Sequence, residues 1–296
     1  MPTPTVYAAD LGGTTVTLGI VRGGQVVSRE RLPADPAGGL TRALRQVRDR
    51  VDALADHVGI TAPDAVGLAL PCLLDRDRRR VVSTVDKYPD ATDIDLDGWA
   101  QATWGVPAVL EGDAVAALLG EWQHGAAQGC RDVAMLTLGT GIGSAAVLDG
   151  RPFRGAYGAG AMLFGHLTVR LDGPTCLCGN VGCVETEAST WALRQRFGPE
   201  ADIAWLFREA DADVRGHALR AWGAAVVNVV HALDPERIVI GGGAARAGEA
   251  LLTPIREYVA AHAWRGPELP LPSIVPGRLD DDAALVGLAW AATQSS

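Results

Sequence analysis

The stretch HLTVRLDGPTCLCGNVGCVE, residues 166–185, is the most distinctive part of the sequence. It begins at His166 and contains three of the five cysteines, Cys176, Cys178 and Cys183. Zinc prefers four nitrogen or sulfur ligands in a tetrahedron, and three cysteines with one histidine form one of its common structural sets. The spacing therefore predicts a zinc site with these four side chains as ligands. A disulfide with a spare thiol, or buried apolar cysteines, are the alternatives.

Composition limits the kinds of partner and compartment. The 296 residues suffice for one large domain or two lobes, and 48% of them are hydrophobic, which supports a substantial core. A formal net charge of −9 argues against nucleic acid and anionic membranes as partners, because both require a basic face. The N-terminal residues show no signal-peptide pattern, and no apolar run is long enough to span a bilayer. With an odd number of cysteines, the sequence predicts a cytoplasmic protein.

Two apolar segments are each interrupted by a glycine-rich turn. The first runs through Asp10, Gly12, Gly13 and Thr14, and the second, within residues 132–153, turns at Gly139-Thr140-Gly141. Glycines allow backbone amides to approach a phosphate closely, and an aspartate at a strand end can hold hydrated magnesium. Taken singly, the first turn is equally consistent with an ordinary hairpin. The repetition predicts two duplicated halves that face one phosphate.

Residues 106–122 read as a short strand, a bend at Gly112 and a helix. Asp113 stands at the junction, where it serves either as a helix cap or as a general base at the edge of a cleft. Farther along, a strand leads into Gly241-Gly242-Gly243, a candidate adenosine or phosphate turn that lacks the dinucleotide-binding spacing.

Two further features complete the pattern. Asp86, Lys87 and Asp93 either line a polar pocket or lie at the surface. Helical spacing of apolar residues predicts a helix over residues 38–58, and helices are also expected over 185–197, 215–233 and 283–292.

Four stretches, in this order, resemble the ROK family of sugar kinases and repressors. They are DLGGTT at 10–15, LEGDAVAALLGE at 110–121, LTLGTGIG at 136–143, and GHLTV with CLCGNVGCVE at 165–169 and 176–185. The resemblance implies an α/β, two-lobed actin-like ATPase (ribonuclease H-like) fold with a structural zinc loop. It implies a smaller lobe from residues 1–113 and 280–296 and a larger lobe from 114–279. A homodimer that uses ATP, Mg²⁺ and structural Zn²⁺ to phosphorylate the 6-hydroxyl of a hexose is expected.

The resemblance also implies a role for each matching residue. Asp113 would take the proton of the sugar hydroxyl that attacks the γ-phosphate. Asp10, Gly12, Gly13 and Thr14 match one phosphate and magnesium loop. The other expected groups are a second phosphate loop at Gly139, Thr140 and Gly141, an adenosine loop at Gly241, Gly242 and Gly243, sugar contacts from Gly112, Asp113, His166, Glu185 and Asp86, and metal ligands at His166, Cys176, Cys178 and Cys183.

Several positions depart from the family pattern, and they lie among the residues expected to bind the sugar. Gly112 stands where an asparagine is usual, and Leu163 stands where a carboxylate is usual. A pocket that has lost hydroxyl-binding groups favours a modified hexose, such as an amino or deoxy sugar, over glucose. Kanosamine is one candidate, because Asp86 can meet an ammonium group. The alternatives are a non-catalytic sugar-sensing regulator on the same scaffold, or a kinase that uses polyphosphate or an N-acylaminosugar.

Overall fold

A computed structural model describes residues 4–84, 86–266 and 268–294. The strands of the described residues are β1 Thr5–Leu11, β2 Thr15–Arg22, β3 Gln25–Pro33, β4 Ala65–Leu70, β5 Leu73–Leu74, β6 Val81–Ser83, β7 Ala108–Gly112, β8 Val133–Leu138, β9 Ile142–Leu148, β10 Arg151–Pro152, β11 Arg237–Gly241 and β12 Ser273–Pro276. The α-helices are α1 Leu40–Val58, α2 Leu96–Trp104, α3 Asp113–His124, α4 Val184–Ala188, α5 Thr190–Phe197, α6 Ile203–Arg208, α7 Ala212–Leu233, α8 Glu249–His262 and α9 Ala283–Gln294.

These elements divide into two compact units. Unit 1 comprises the described residues of 1–128, 154–160 and 281–296, and unit 2 comprises 129–153 and the described residues of 161–280. This division differs from the predicted boundary at residue 113, because α3 and residues 154–160 group with unit 1. The residues at the ends of that prediction, 1–3 and 295–296, lie outside the described residues.

Helix α3 joins unit 1 through its close contact with α9. A Cβ on Gly287 of α9 would lie 1.8 Å from the carbonyl oxygen of Ala116, and one on Gly120 of α3 would lie 2.0 Å from that of Ala283. Only glycine permits the two backbones to approach this closely. Trp122 and Trp290 extend the contact with an edge-to-face ring pair whose centroids are 5.4 Å apart.

The main sheet of unit 1 has the strand order β3-β2-β1-β4-β7. Strands β1, β4 and β7 run parallel, so their carboxyl ends share one edge of the sheet. In the register, Asp10 pairs with Ala69, and Leu70 pairs with Gly112. This pairing brings the first glycine turn and Asp113 to the same edge. Helix α1 packs on the sheet with buried residues at helical spacing, among them Leu44, Val47 and Val51.

Unit 2 contains a sheet with the equivalent order, β10-β9-β8-β11-β12. Here β8 is antiparallel to β9 and parallel to β11, and β12 is parallel to β11. Each sheet thus consists of an antiparallel meander of three strands followed by two parallel strands. The predicted repetition of the strand–turn–strand unit is confirmed at the level of sheet topology.

The predicted helix over 185–197 is interrupted. Helix α4 ends and α5 begins at Ser189, whose backbone is extended and whose hydroxyl accepts a hydrogen bond from the Ala192 amide at 3.1 Å. A serine cap starts a new helix here, and apolar spacing alone does not reveal such a break. Within the described residues, no helix combines the length and apolar character needed to cross a membrane.

Candidate active site and metal centre

Asp10 is an unusual carboxylate at the end of β1 in unit 1. Its Oδ1 atom is buried and has no hydrogen-bond partner among the described residues. Burial, followed by the charges of Asp113 and Asp281, raises the pKa of Asp10 to about 7. Burial and the neighbouring carboxylates therefore both favour the protonated form of Asp10.

A divalent cation fits this arrangement. Oxygen ligands and excess negative charge are what Mg²⁺ requires, and the unsatisfied Oδ1 of Asp10 offers a ligand directly or through water. The fit of Mg²⁺ follows from the oxygen atoms and the negative charge of these carboxylates in unit 1.

The first glycine turn is held tightly at Gly12. A Cβ at this position would lie 2.7 Å from the carbonyl oxygen of Thr15, so a side chain would disrupt the turn. The buried Tyr88 hydroxyl donates a hydrogen bond to the Gly12 carbonyl at 3.2 Å. The loop that contains Tyr88 thereby braces the predicted phosphate turn.

Asp113 is the first residue of α3, and the preceding Gly112 occupies the cap position. Its Oδ1 accepts a hydrogen bond from the Ala114 amide at 2.7 Å. Burial raises the pKa of Asp113, while this hydrogen bond and the charge of Lys87 lower it. Asp113 is therefore not the helix cap, since Gly112 holds that position and no side chain caps the helix. Its carboxylate lies at the sheet edge that holds Asp10 and the glycine turn.

In unit 2, Glu185 lies against the second glycine turn. Its Oε2 accepts a hydrogen bond from the Ile142 amide at 2.8 Å, and a Cβ on Gly141 would lie 2.6 Å from that oxygen. The carbonyls of Gly139 and Thr140 accept hydrogen bonds from the first amides of α5, both at 3.0 Å. Glycine is therefore needed at position 141 to admit the carboxylate, and the turn is fixed from both sides.

The glycine triplet begins at the last residue of β11, at the carboxyl edge of the sheet of unit 2. Gly241 pairs with Thr137 in the adjacent parallel strand, which places the triplet beside the second glycine turn. Gly242 has a φ of 77°, and a Cβ there would lie 2.5 Å from the carbonyl oxygen of Leu138. Loops at the carboxyl ends of parallel strands are common nucleotide sites, so the placement suits the predicted adenosine turn.

The cysteine cluster assembles as predicted from its spacing. The ligand atoms of His166, Cys176, Cys178 and Cys183 all lie within 4.8 Å of one another. The sulfurs of Cys178 and Cys183 are 3.7 Å apart, and the Cys176 sulfur lies 3.5 Å from Nδ1 of His166. A tetrahedral zinc with Zn–S bonds of about 2.3 Å separates two sulfurs by about 3.8 Å.

Backbone turns explain how the four groups converge. Gly179 and Gly182 adopt positive φ values of 87° and 62°, which reverse the chain between the cysteines. The Asn180 amide group donates a hydrogen bond to the His166 carbonyl at 3.1 Å. All five cysteines of the sequence are free, so the disulfide alternative is not what the structure shows. The donor set fits a structural zinc site.

The remaining predicted sugar contacts have less distinctive surroundings. Asp86 is exposed and has a left-handed backbone with φ of 59°. Gly112 is buried, and Leu163 presents an apolar side chain that is 41% exposed. His166 is close to the cysteines, as its predicted ligand role requires.

The sequence placed Lys87 either in a polar pocket or at the surface, without a role in phosphate binding, and the structure places it at the first glycine turn. A Cβ on Gly13 would lie 3.1 Å from Lys87 Cε and 3.4 Å from Nζ. One signal in the sequence could have identified it, because Lys87 is the only lysine in the chain.

The similarity to known proteins extends over both units. The sequence model of the ROK family matches residues 6–295. A glucokinase from Thermotoga maritima is 33% identical over 320 aligned residues, which cover 98% of this chain and 97% of that protein. A kanosamine kinase from Amycolatopsis mediterranei is 31% identical, with coverage of 97% and 95%. The crystal structure of a ROK family glucokinase from Streptomyces griseus, in complex with glucose and AMPPNP, has a TM-score of 0.81 at 28% identity and covers 98% of this chain and 99% of that one.

Proposed function

The chain belongs to the ROK family, and we propose that it transfers the γ-phosphoryl group of ATP to the 6-hydroxyl of a hexose. Its α/β fold matches the ROK sugar kinases of the actin-like ATPase group. The relatives named above include a glucokinase and an aminosugar kinase. The observation that carries the proposal is the shared sheet edge in unit 1, where Asp113 and the Asp10 glycine turn come together.

In the proposed reaction, Asp113 orients the sugar hydroxyl and accepts its proton. The hydroxyl oxygen forms a bond to the γ-phosphorus, and the bond from that phosphorus to the bridging oxygen of ADP breaks. General-base assistance of this kind contributes about 10²–10⁴ in rate. The raised pKa of Asp113, caused by burial, makes its carboxylate a better proton acceptor than an exposed aspartate.

Charge on the phosphates must be balanced by fixed positive groups. Backbone amides of Gly12, Gly13 and Thr14 in unit 1, and of Gly139–Gly141 in unit 2, are the proposed donors. Asp10 would hold Mg²⁺, which supplies charge neutralisation to the nucleotide. The proposed adenosine site is Gly241–Gly243 in unit 2.

For the sugar, we assign hydroxyl contacts to Glu185 and His166, with Asp86 and Gly112 as further lining residues. Glu185 is held by the Ile142 amide, so its carboxylate has a fixed orientation. Leu163 and Gly112 provide neither a charge nor a side-chain hydrogen bond. A hexose that lacks or replaces a hydroxyl leaves fewer groups unpaired in such a pocket than glucose would, which favours an amino or deoxy hexose.

Zinc is proposed as a structural ion. His166, Cys176, Cys178 and Cys183 fill a tetrahedral shell and leave no position for a substrate. Since Glu185 follows Cys183 by two residues, and His166 is itself a ligand, the metal would hold both sugar-contacting residues in place.

A coupled ADP-release assay across a panel of hexoses and aminosugars tests the proposal. The panel contains glucose, kanosamine, glucosamine, 2-deoxyglucose and N-acetylmannosamine, each with ATP or polyphosphate as donor. We expect ATP-dependent turnover, fastest with a modified hexose, and a product phosphorylated at the 6-position by NMR. Thermal stabilisation by a sugar without turnover on any member would replace the kinase assignment with that of a sugar-sensing regulator.

A further inference from the structure

Lys87 is unique in the composition of this chain. Lysine and arginine together number 26, and every one of them except Lys87 is arginine. Its side chain lies along the first glycine turn, with Cε and Nζ next to Gly13. The single ammonium group of the chain's side chains is therefore found at the proposed phosphate turn. A lysine is a compact point charge with three rotatable donors, which suits a phosphate whose geometry changes during transfer.

The backbone around Lys87 is constrained on both sides. Asp86 and Tyr88 have φ values of 59° and 53°, a left-handed conformation that is rare for aspartate and rarer for tyrosine. Such conformations are strained, and they concentrate at functional sites, where the surroundings enforce them. The structure supplies that enforcement, because Tyr88 is fully buried and bonded to Gly12 and the Lys87 amide donates to the Thr84 carbonyl at 2.9 Å.

The charge of Lys87 acts on the groups of the proposed reaction. It lowers the pKa of Asp113 against the larger effect of burial. Among the described residues, no carboxylate forms an ion pair with Lys87. The side chain is only partly exposed, so its ammonium group is not fully solvated. A group in this state is available to an anionic ligand.

We propose that Lys87 is a catalytic residue whose ammonium group binds the transferred γ-phosphoryl group of ATP. This proposal rests on the function proposed above. The lysine donates hydrogen bonds to the non-bridging oxygens and remains protonated throughout. As the sugar oxygen attacks the γ-phosphorus, the bond to ADP breaks and the sugar proton passes to Asp113. Lys87 stabilises the charge on the transferred oxygens and keeps Asp113 ionised until the proton arrives.

Amine-selective acetylation tests this contact in the unmodified protein. An N-hydroxysuccinimide acetate reagent has only two amine targets in the chain, Lys87 and the N-terminal amine, and the second serves as an internal control. Mass spectrometry then gives the acetylation rate of each. We expect Mg²⁺ with AMPPNP to slow the reaction of Lys87 at least about tenfold, whereas ADP and sugar alone leave it within about twofold, because both lack the γ-phosphate. Equal rates with AMPPNP and with ADP would overturn the proposal.

Substitutions provide a second, kinetic test. Lys87→Met should lower kcat by about 10²–10³ with less than a threefold change in the KM for sugar, as is typical for the loss of one charge-stabilising donor. Lys87→Arg should restore at least a tenth of kcat. Arg79→Met, which removes one exposed charge from the same unit, should stay within twofold of the wild type.

The outcomes separate the two proposals. A change confined to the KM for sugar would place Lys87 in the sugar pocket, and unchanged kcat would remove it from the reaction. Either result in an active wild-type enzyme overturns the role of Lys87 alone. Wild-type protein without turnover on any sugar overturns the proposed function itself. If Lys87→Met does not fold, the acetylation rates and the Lys87→Arg variant still decide the question.

Discussion

Arg154 donates two hydrogen bonds, of 2.7 and 2.6 Å, to the two carboxylate oxygens of Glu111, whose side chain is completely buried. Arg78 donates a further hydrogen bond to the same carboxylate. Glu111 precedes Gly112 and Asp113, so two arginines from distant segments of unit 1 fix the end of β7. Because the Glu111 carboxylate is removed from water, its negative charge is stable in the fold only while the arginines bind it.

Replacement of Arg154 by methionine should therefore destabilise the protein. The variant leaves a buried carboxylate with one arginine instead of two, and breaking a buried pair costs about 3 kcal/mol. Thermal or urea unfolding measures the loss. Arg42→Met is the matched control, because the Arg42–Asp35 pair is exposed, and it should cost no more than about 1 kcal/mol. Similar losses for the two variants would contradict the importance assigned to the buried carboxylate.

Asp113→Asn should abolish most catalysis without loss of the fold. The amide keeps the shape of the side chain but accepts no proton, so turnover should fall by about 10²–10⁴. Sugar binding, followed by calorimetry, should weaken little. Asp149→Asn removes an aspartate that is 82% exposed in unit 2, and it should leave turnover unchanged. Retained activity in Asp113→Asn would assign the base to another residue.

These results show which parts of the molecule the sequence predicts. Apolar runs and glycine turns were sufficient for the two repeated strand–turn–strand units, and cysteine spacing was sufficient for the four convergent ligands, because both depend on local geometry. The parallel strands that complete each sheet were not predicted from the residues. The break at Ser189 was missed, since a single hydroxyl decides it. The contact of Lys87 with the first glycine turn was not predicted either, because the sequence left Lys87 either in a polar pocket or at the surface. It depends on the left-handed backbone at Tyr88 and on the tyrosine's contact with Gly12, which lie 76 residues apart.

The cysteine cluster makes a quantitative prediction about metal content. Purified protein should contain about one zinc per chain by mass spectrometry of the metal. Cys183→Ser should lose the metal and melt at a lower temperature, because Cys183 is a buried member of the cluster. Cys130→Ala changes a buried cysteine outside the cluster and should retain the zinc. A fully active and equally stable preparation without zinc would refute the structural role.

Gly141→Ala should separate the carboxylate of Glu185 from the second glycine turn. The new Cβ would lie 2.6 Å from Oε2, so the side chain must move and the hydrogen bond from Ile142 is lost at a cost of about 1 kcal/mol. We expect a small decrease in melting temperature and a rise of about tenfold in the KM for sugar. Gly139→Ala has open space around its Cβ and should melt near the wild-type temperature. An unchanged KM in Gly141→Ala would argue against a sugar contact by Glu185.

Asp10 should make stability depend on pH in a magnesium-sensitive way. Its folded pKa of about 7 exceeds the ordinary value of 3.8, so between these pH values the folded protein retains a proton that the unfolded chain releases. The free energy of unfolding must then fall as the pH rises from about 4 to 7, by at most about 4 kcal/mol from this group. Asp10→Asn lacks the titration, and in magnesium-free buffer it should match the wild type near pH 4 and exceed its stability at pH 8.

Magnesium should narrow that difference at pH 8. The cation binds the ionised carboxylate and offsets the repulsion from Asp113 and Asp281, so added Mg²⁺ should raise the melting temperature of the wild type and leave Asp10→Asn nearly unchanged. Melting curves at several pH values, with and without Mg²⁺, measure both effects. A difference between the two proteins that is constant with pH would contradict the raised pKa. Equal stabilisation of both proteins by Mg²⁺ would show that the metal binds elsewhere, because only the wild type carries the carboxylate at position 10.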